Sequence, residues 1–361
     1  MNLGLIETVS IKIIIIKLLR VSLFILFFYN SFLIFPTLYA ANAEKSSVVY
    51  MYHRFGESTY PSTNIKLEQL ESHLEEFSKE KYNVLPLEYI VESLKSGVDL
   101  PINTIGLSVD DAYKSFLTEG WPRFKKYGFP VTLFVSTDMV DANMKNYLNW
   151  DEIRQLKNEG VTIGAHTKTH PHLTELTIEE VKEELEYSNK RYLNEINVIP
   201  KLFAYPFGET NQEIISVIND YSFIAAFGQH SGAMGNNSNF FYLPRFSLNE
   251  RYGDIERVKF SANTKAIGVK DFIPTDPVLS ENPPFIGFSL LNKDLSNSLN
   301  CFIFDRKGAV DNEKMFFNER IEIRLKRKLS SGRVRMNCTT QDSKGKWRWY
   351  GRQFILPEYL N

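Results

Sequence analysis

Thr104-Ile105-Gly106-Leu107-Ser108-Val109-Asp110-Asp111 runs from apolar and small residues straight into two adjacent carboxylates. Its length and continuity suit a strand buried on both faces, as parallel sheets use. Adjacent residues at a strand end point in different directions, so the two acids can take separate roles. One can bind a metal while the other stands beside it and handles protons. The competing reading, a pair of acids capping a helix start, is weakened by the apolar strand that leads into them.

Downstream, Gly164-Ala165-His166-Thr167-Lys168-Thr169-His170-Pro171-His172 holds three of the chain's six histidines. It follows Val161-Thr162-Ile163, a β-branched run that reads as a strand end. His166 and His170 are four apart, which on a helical turn puts both rings on one face, close enough to share a cation. Neutral imidazole suits zinc and similar divalent ions. Such a pair on a surface helix is commonplace, and it needs a carboxylate partner. Asp110 and Asp111 offer one. His172 lies beyond Pro171, which disturbs helical geometry.

The segments around these two stretches alternate. Ser46-Ser47-Val48-Val49-Tyr50-Met51-Tyr52 reads as a buried strand ending in His53-Arg54. Residues 67–79 have helical spacing, with His73 among glutamates and read as surface. Strands at 82–85, 129–136, 161–164, 202–205 and 223–227 alternate with helices at 87–96, 121–127, 150–158, 177–194 and 211–219. Repeated strand–helix units of this length predict an α/β fold, a parallel sheet closed or nearly closed into a (β/α) barrel. His53, Asp110, Asp111, His166, His170 and His230 all follow predicted strands, and one barrel face would collect them.

The two ends of the chain differ. Lys12, Lys17 and Arg20 lead into an apolar run over 21–35, then Pro36 and Ala41-Asn42-Ala43. That is the order of a secretory signal peptide cut after Ala43, and a membrane anchor is the alternative. Either way the remainder is expected outside the cytoplasm: periplasmic, in the cell envelope, or secreted. Prolines at 274, 277, 283 and 284 mark a linker, and short strands with period-two alternation follow, as in Ile321-Glu322-Ile323-Arg324-Leu325. The expected division is 1–43 signal peptide, 44–263 barrel, 264–284 linker and 285–361 small β-sandwich. Cys301 and Cys338 both fall in the last part and can pair in an oxidising compartment; two separate buried thiols are the alternative. With 42 basic and 43 acidic residues, the chain gives no reason to expect a nucleic-acid partner. Membrane contact is expected only if the N-terminal segment is retained.

Ser108-Val109-Asp110-Asp111 resembles the first motif of the polysaccharide deacetylases (carbohydrate esterase family four). His166-Thr167-Lys168-Thr169-His170 is similar to their second motif and Phe203-Ala204-Tyr205-Pro206-Phe207-Gly208 to their third, so the resemblance covers roughly residues 48–248. It implies a deformed barrel with a divalent metal, usually zinc, held by Asp111, His166 and His170. It also implies Asp110 as general base, with a backbone N–H at Phe207, beside Tyr205, for the oxyanion. The substrate implied is an N-acetylated glycan, and the products are a free amine and acetate. The third motif's arginine is replaced by Ala204, and Arg245, in Leu243-Pro244-Arg245-Phe246, is the candidate substitute. The fourth motif, an Asp-Trp pair, is not found. The fifth supplies a histidine as general acid, and His230 stands in about that place. Tyr52-His53-Arg54 resembles a feature of exported members, which makes His53 a candidate for substrate contact. Two other readings stay open at this point: a glycan-binding protein on an inactive barrel, and a metal-dependent amidase for another substrate.

Overall fold

In the computed structural model, residues 43–360 are described; apart from Ala43, the signal-peptide reading falls outside them. From Lys45 onward the chain forms one unit.

Its centre is a curled sheet. β1 (Ser46–Tyr52), β2 (Thr104–Val109), β3 (Thr132–Val135), β4 (Thr162–Ala165), β5 (Leu202–Ala204) and β6 (Ala225–Phe227) pair in parallel, in the order β6-β5-β4-β3-β2-β1. At the outer edge of β1, β7 (Ala233–Gly235) pairs antiparallel and β8 (Phe246–Ser247) parallel. Residues 240–243 lie along the opposite edge, where Ala226 N donates to Phe240 O and Leu243 N to Ala226 O. One segment, 240–247, therefore crosses from β6 to β1 and spans the gap between the two edges of the sheet.

Period-two alternation sorts the strand residues. Tyr50, Tyr52, Leu107, Val109, Leu133 and Phe203 face outward, onto the surrounding helices. Val49, Phe134, Leu202, Ala204, Ala225 and Phe227 face inward, where α2 (Leu87–Lys95; α1 is Leu67–Phe77) packs Leu87, Ile90 and Leu94 among them. Gly106 and Gly164 are also inward-facing. A Cβ on Gly106 would lie 2.2 Å from Leu87, and one on Gly164 2.4 Å from Phe134, so both glycines leave room for the filling. The longer helices that follow are α3 (Trp121–Lys126), α4 (Trp150–Asn158), α5 (Ile178–Ile196), α6 (Gln212–Asp220) and α7 (Ile255–Ala262). His73 on α1 is not at the surface: it is fully buried, 3.2 Å from Tyr52 Oη and 2.8 Å from Gly253 O. Its helix face packs toward α7, which the glutamates around it concealed.

The C-terminal part is a pair of antiparallel-rich sheets with a hydrophobic core of its own. One has the order β9-β17-β16-β12-β13, from β9 (Lys265–Ala266), β12 (Asn300–Asp305), β13 (Gly308–Val310), β16 (Gly332–Gln341) and β17 (Trp347–Leu356). The other is β10-β11-β15-β14, from β10 (Val269–Ile273), β11 (Ile286–Leu290), β14 (Asn312–Phe317) and β15 (Arg320–Leu325). The region read as a linker, 264–284, thus carries two strands, because β9 and β10 precede the prolines and pair with β17 and β11. Cys301 and Cys338 face each other in the β12–β16 ladder and form a disulfide.

β17 joins this region to the barrel. Its odd-numbered residues face the barrel: Trp349 packs edge-on to Phe246, with ring centres 5.1 Å apart. A Cβ on Gly351 would lie 1.7 Å from Ser231 O, so only glycine fits there. Tyr350, on the other face, packs with Phe272 and Phe288 in the sandwich core. Trp347 is 39% exposed and leans on Phe260.

Candidate metal centre and active site

The inward-facing parity of β1, β2 and β4 continues past their ends to His53, Asp110 and His166. Tyr52 is in register with Val109, and Asp110 N donates to Tyr52 O at 2.9 Å, so His53 and Asp110 leave adjacent strands side by side. Asp111 then breaks the alternation. Its φ is 74°, and that of Ala112 is 54°, both in the left-handed region that costs non-glycine residues on the order of 1 kcal/mol or more. The turn carries the Asp111 carboxylate toward the histidines.

Asp111 Oδ1 lies 3.3 Å from His166 Nε2 and 3.3 Å from His170 Nε2, and one donor atom from each of the three lies within 4.8 Å of the others. Asp111 Oδ1 and His166 Nε2 are buried without a hydrogen-bond partner. His166 Nδ1 sits 2.7 Å from Ala204 O. An Nδ1–H donating there leaves the Nε2 lone pair facing the cluster, the orientation that metal-bound histidines use. Three converging donors of this kind, two of them buried and otherwise unsatisfied, fit a divalent cation with open coordination positions.

The histidine stretch is a loop, not the helical turn that the spacing suggests. Thr167 has φ 66° and His170 φ 59°, which rule out a regular helix. Fixed contacts hold the loop instead. Ser136 Oγ donates to His166 O at 2.6 Å. Glu184 on α5 accepts from Lys168 N, Thr169 N and Thr169 Oγ1 at 2.9, 2.8 and 2.8 Å. Nothing in the sequence singled out Glu184, one acid among several on an amphipathic helix.

Arg245 lies beneath Asp110. It comes from the segment that closes the sheet, is fully buried, and donates Nη1 and Nη2 to Asp110 Oδ1 and Oδ2 at 2.7 and 2.8 Å. Its Nε donates to Gly228 O at 3.0 Å and its Nη1 also to Ser108 Oγ at 3.2 Å. Burial pushes the Asp110 carboxyl up, but the Arg245 guanidinium outweighs it and holds Asp110 below the usual carboxylate range. Asp111 stands well below that range too: burial raises it, and the close His166 and His170 imidazoles more than offset the rise. Burial pulls the His53 imidazole down, against the opposing fields of Asp111 and Asp110.

Phe207, at φ 58°, puts its ring edge-on to His170 with centres 4.6 Å apart, and flat on His172 at 4.0 Å and 9°. Two candidates are not brought to the cluster. Tyr205 follows the outward parity of β5; its side chain is buried and donates Oη to Phe241 O at 2.8 Å, so it cannot touch substrate. His230 leaves β6 but turns toward the C-terminal sheets, where its ring packs on Tyr242 at 4.6 Å and lines a cavity of about 450 Å³. Burial lowers its pKa to about 3, reinforced by Arg352 and Arg245, which favours the neutral ring.

The polysaccharide deacetylase family profile matches residues 97–226. The chain thus contains a polysaccharide deacetylase domain, the family that its sequence motifs resemble. It is 23% identical over 235 residues to the poly-beta-1,6-N-acetyl-D-glucosamine N-deacetylase of Staphylococcus aureus, which spans 57% of this chain and 80% of that protein. The Streptococcus pyogenes deacetylase PplD, solved in complex with acetate, shares the fold with a TM-score of 0.56 and 20% identity over 60% of this chain and 98% of its own. IcaB from Ammonifex degensii follows, with a TM-score of 0.53 and 18% identity over 61% and 97%.

Proposed function

We propose that this protein is a metal-dependent hydrolase that removes N-acetyl groups from an N-acetylated glycan outside the cytoplasm. The observation that carries the reading is the pairing of two sites at one barrel mouth. Asp111, His166 and His170 present a cation site, and the neighbouring Asp110 is kept ionised and fixed by a bidentate arginine. A pure binding site needs neither. The name of the Staphylococcus aureus relative supports an N-acetylhexosamine polymer as the substrate class.

A divalent cation, with zinc the best match to one carboxylate and two imidazoles, would supply Lewis-acid polarisation and a more acidic water. The chain's own residues do the rest. Asp110, not among the cation's ligands, accepts a proton from the attacking water. Arg245 orients that carboxylate and keeps it basic only in its ionised form. On position, His53, beside Asp110 on the adjacent strand end, is the candidate to pass a proton to the departing amine, the role the sequence suggested for His230. The Phe207 turn contributes a backbone N–H toward the developing oxyanion.

The test is acetate release from β-1,6- and β-1,4-linked N-acetylglucosamine oligomers by chelator-treated protein, before and after zinc is restored. Release that returns with zinc supports the reading, and the preferred linkage names the polymer. Release that is indifferent to the chelator contradicts it.

A further inference from the structure

The family profile ends at residue 226, yet the turn that carries Phe207 is held from outside it. Gln353, on the barrel-facing side of β17, is fully buried. Its Nε2 donates to Phe207 O at 3.3 Å and to Gly208 O at 3.0 Å. Both partners are carbonyls, so only the amide's NH₂ end fits there. Tyr242 Oη bridges the same strand and turn, reaching Gly208 O at 3.2 Å and Gln353 O at 3.4 Å. A second tie runs from β16: Arg333 Nη2 lies 3.3 Å from Glu209 Oε1, and Glu209 Oε2 lies 2.6 Å from His172 Nδ1, whose ring is stacked on Phe207.

This turn needs holding. Phe207 is a bulky residue at φ 58°, a conformation that persists only where its surroundings over-determine it. Gly208, at φ 68°, has no room for a side chain, since a Cβ would lie 2.4 Å from Gln229 N. Within the turn, Glu209 N bonds Pro206 O at 3.1 Å, which in a trans peptide directs the Phe207 N–H the opposite way. Fixing the next two carbonyls on Gln353 then locks the peptide planes on either side of Gly208, the first of which follows Phe207 directly. Without Gln353 the turn keeps its own internal bonds and the Arg333 tie at Glu209, but no donor from the C-terminal sheets holds the Phe207 and Gly208 carbonyls.

We propose that Gln353 is a positioning residue for the Phe207 turn, and that the C-terminal β-region is in this way part of the catalytic unit. The proposal rests on the deacetylase reading for its catalytic consequence, and on geometry alone for the turn.

The test compares full-length wild type with Gln353→Leu, which keeps volume and loses the donor, and Gln353→Glu, which sets a carboxylate against two carbonyls. Both variants are expected to lose roughly 10- to 100-fold in kcat, with KM changed less than about twofold, as a displaced oxyanion donor predicts. Zinc content should equal that of wild type. Amide hydrogen exchange across 205–211 should rise about tenfold or more, while β5 is unchanged. A wild-type kcat in Gln353→Leu would overturn the proposal, as would a loss of kcat that follows loss of zinc. If wild type itself releases no acetate, the deacetylase reading fails, and exchange still decides: unchanged protection of 205–211 in Gln353→Leu overturns the positioning role, and raised protection loss there supports it.

Discussion

A carboxylate with no solvent contact stays charged only beside a fixed cation, and Arg245 supplies one to Asp110 through two hydrogen bonds. Because Arg245 lowers the Asp110 pKa, its removal must raise it. Arg245→Lys is therefore expected to move the acid limb of the kcat/KM profile to higher pH, since the base is then protonated over a wider range. An unmoved limb would mean that Asp110 is not the base. Arg245→Ala, which strands a buried charge, is expected to cost about 3–5 kcal/mol of stability in denaturant titration. The two histidine candidates separate in the same assay. His53→Ala should lower kcat by roughly 10²-fold or more, and His230→Gln should leave the pH profile of wild type in place. The reverse result would return the acid role to His230. Asp111, His166 and His170 stood out because they fall in two short patterns at strand ends, and it was the family resemblance that grouped them. Arg245 is 135 positions from its partner in the chain, so only its place after the last strand pointed to it. His230 misled for the same reason: sequence order shows that a residue follows a strand, not which way the chain then turns.

Strands β1 to β6 and their helices were legible from alternation alone, because each is buried on both faces. The closing segment 240–247 was not, since it pairs with a different edge at each end and has no run of its own. Nor were β9 and β10, whose 265–266 and 269–273 stretches lack an apolar pattern and are strands only because β17 and β11 lie beside them. The interior filling depends on two absent side chains. Gly106→Ala would place a methyl 2.2 Å from Leu87 and is expected to destabilise the fold by about 1–3 kcal/mol. Chemical denaturation that finds the variant as stable as wild type would show that α2 does not plug the sheet as described.

The whole molecule from Lys45 onward shares one interface along β17, through Trp349 on Phe246, Gly351 on Ser231, and Gln353 on the Phe207 turn. Barrel and sandwich are therefore expected to unfold together, in one calorimetric transition, and two separated transitions would contradict the shared interface. The disulfide closes 37 positions of chain, so Cys301→Ser is expected to cost about 3–4 kcal/mol. By the same coupling, activity should be lost at the lowered melting temperature of that variant and not before it. The account as a whole rests on Asp110 acting beside a cation that it does not bind. The measurement that reaches this most directly is zinc content and acetate release determined together for wild type and Asp110→Asn on an N-acetylglucosamine oligomer. The predicted result is equal zinc in both, with release by Asp110→Asn lower by roughly 10²- to 10⁴-fold. Release by Asp110→Asn within a few-fold of wild type, at equal zinc, would contradict it.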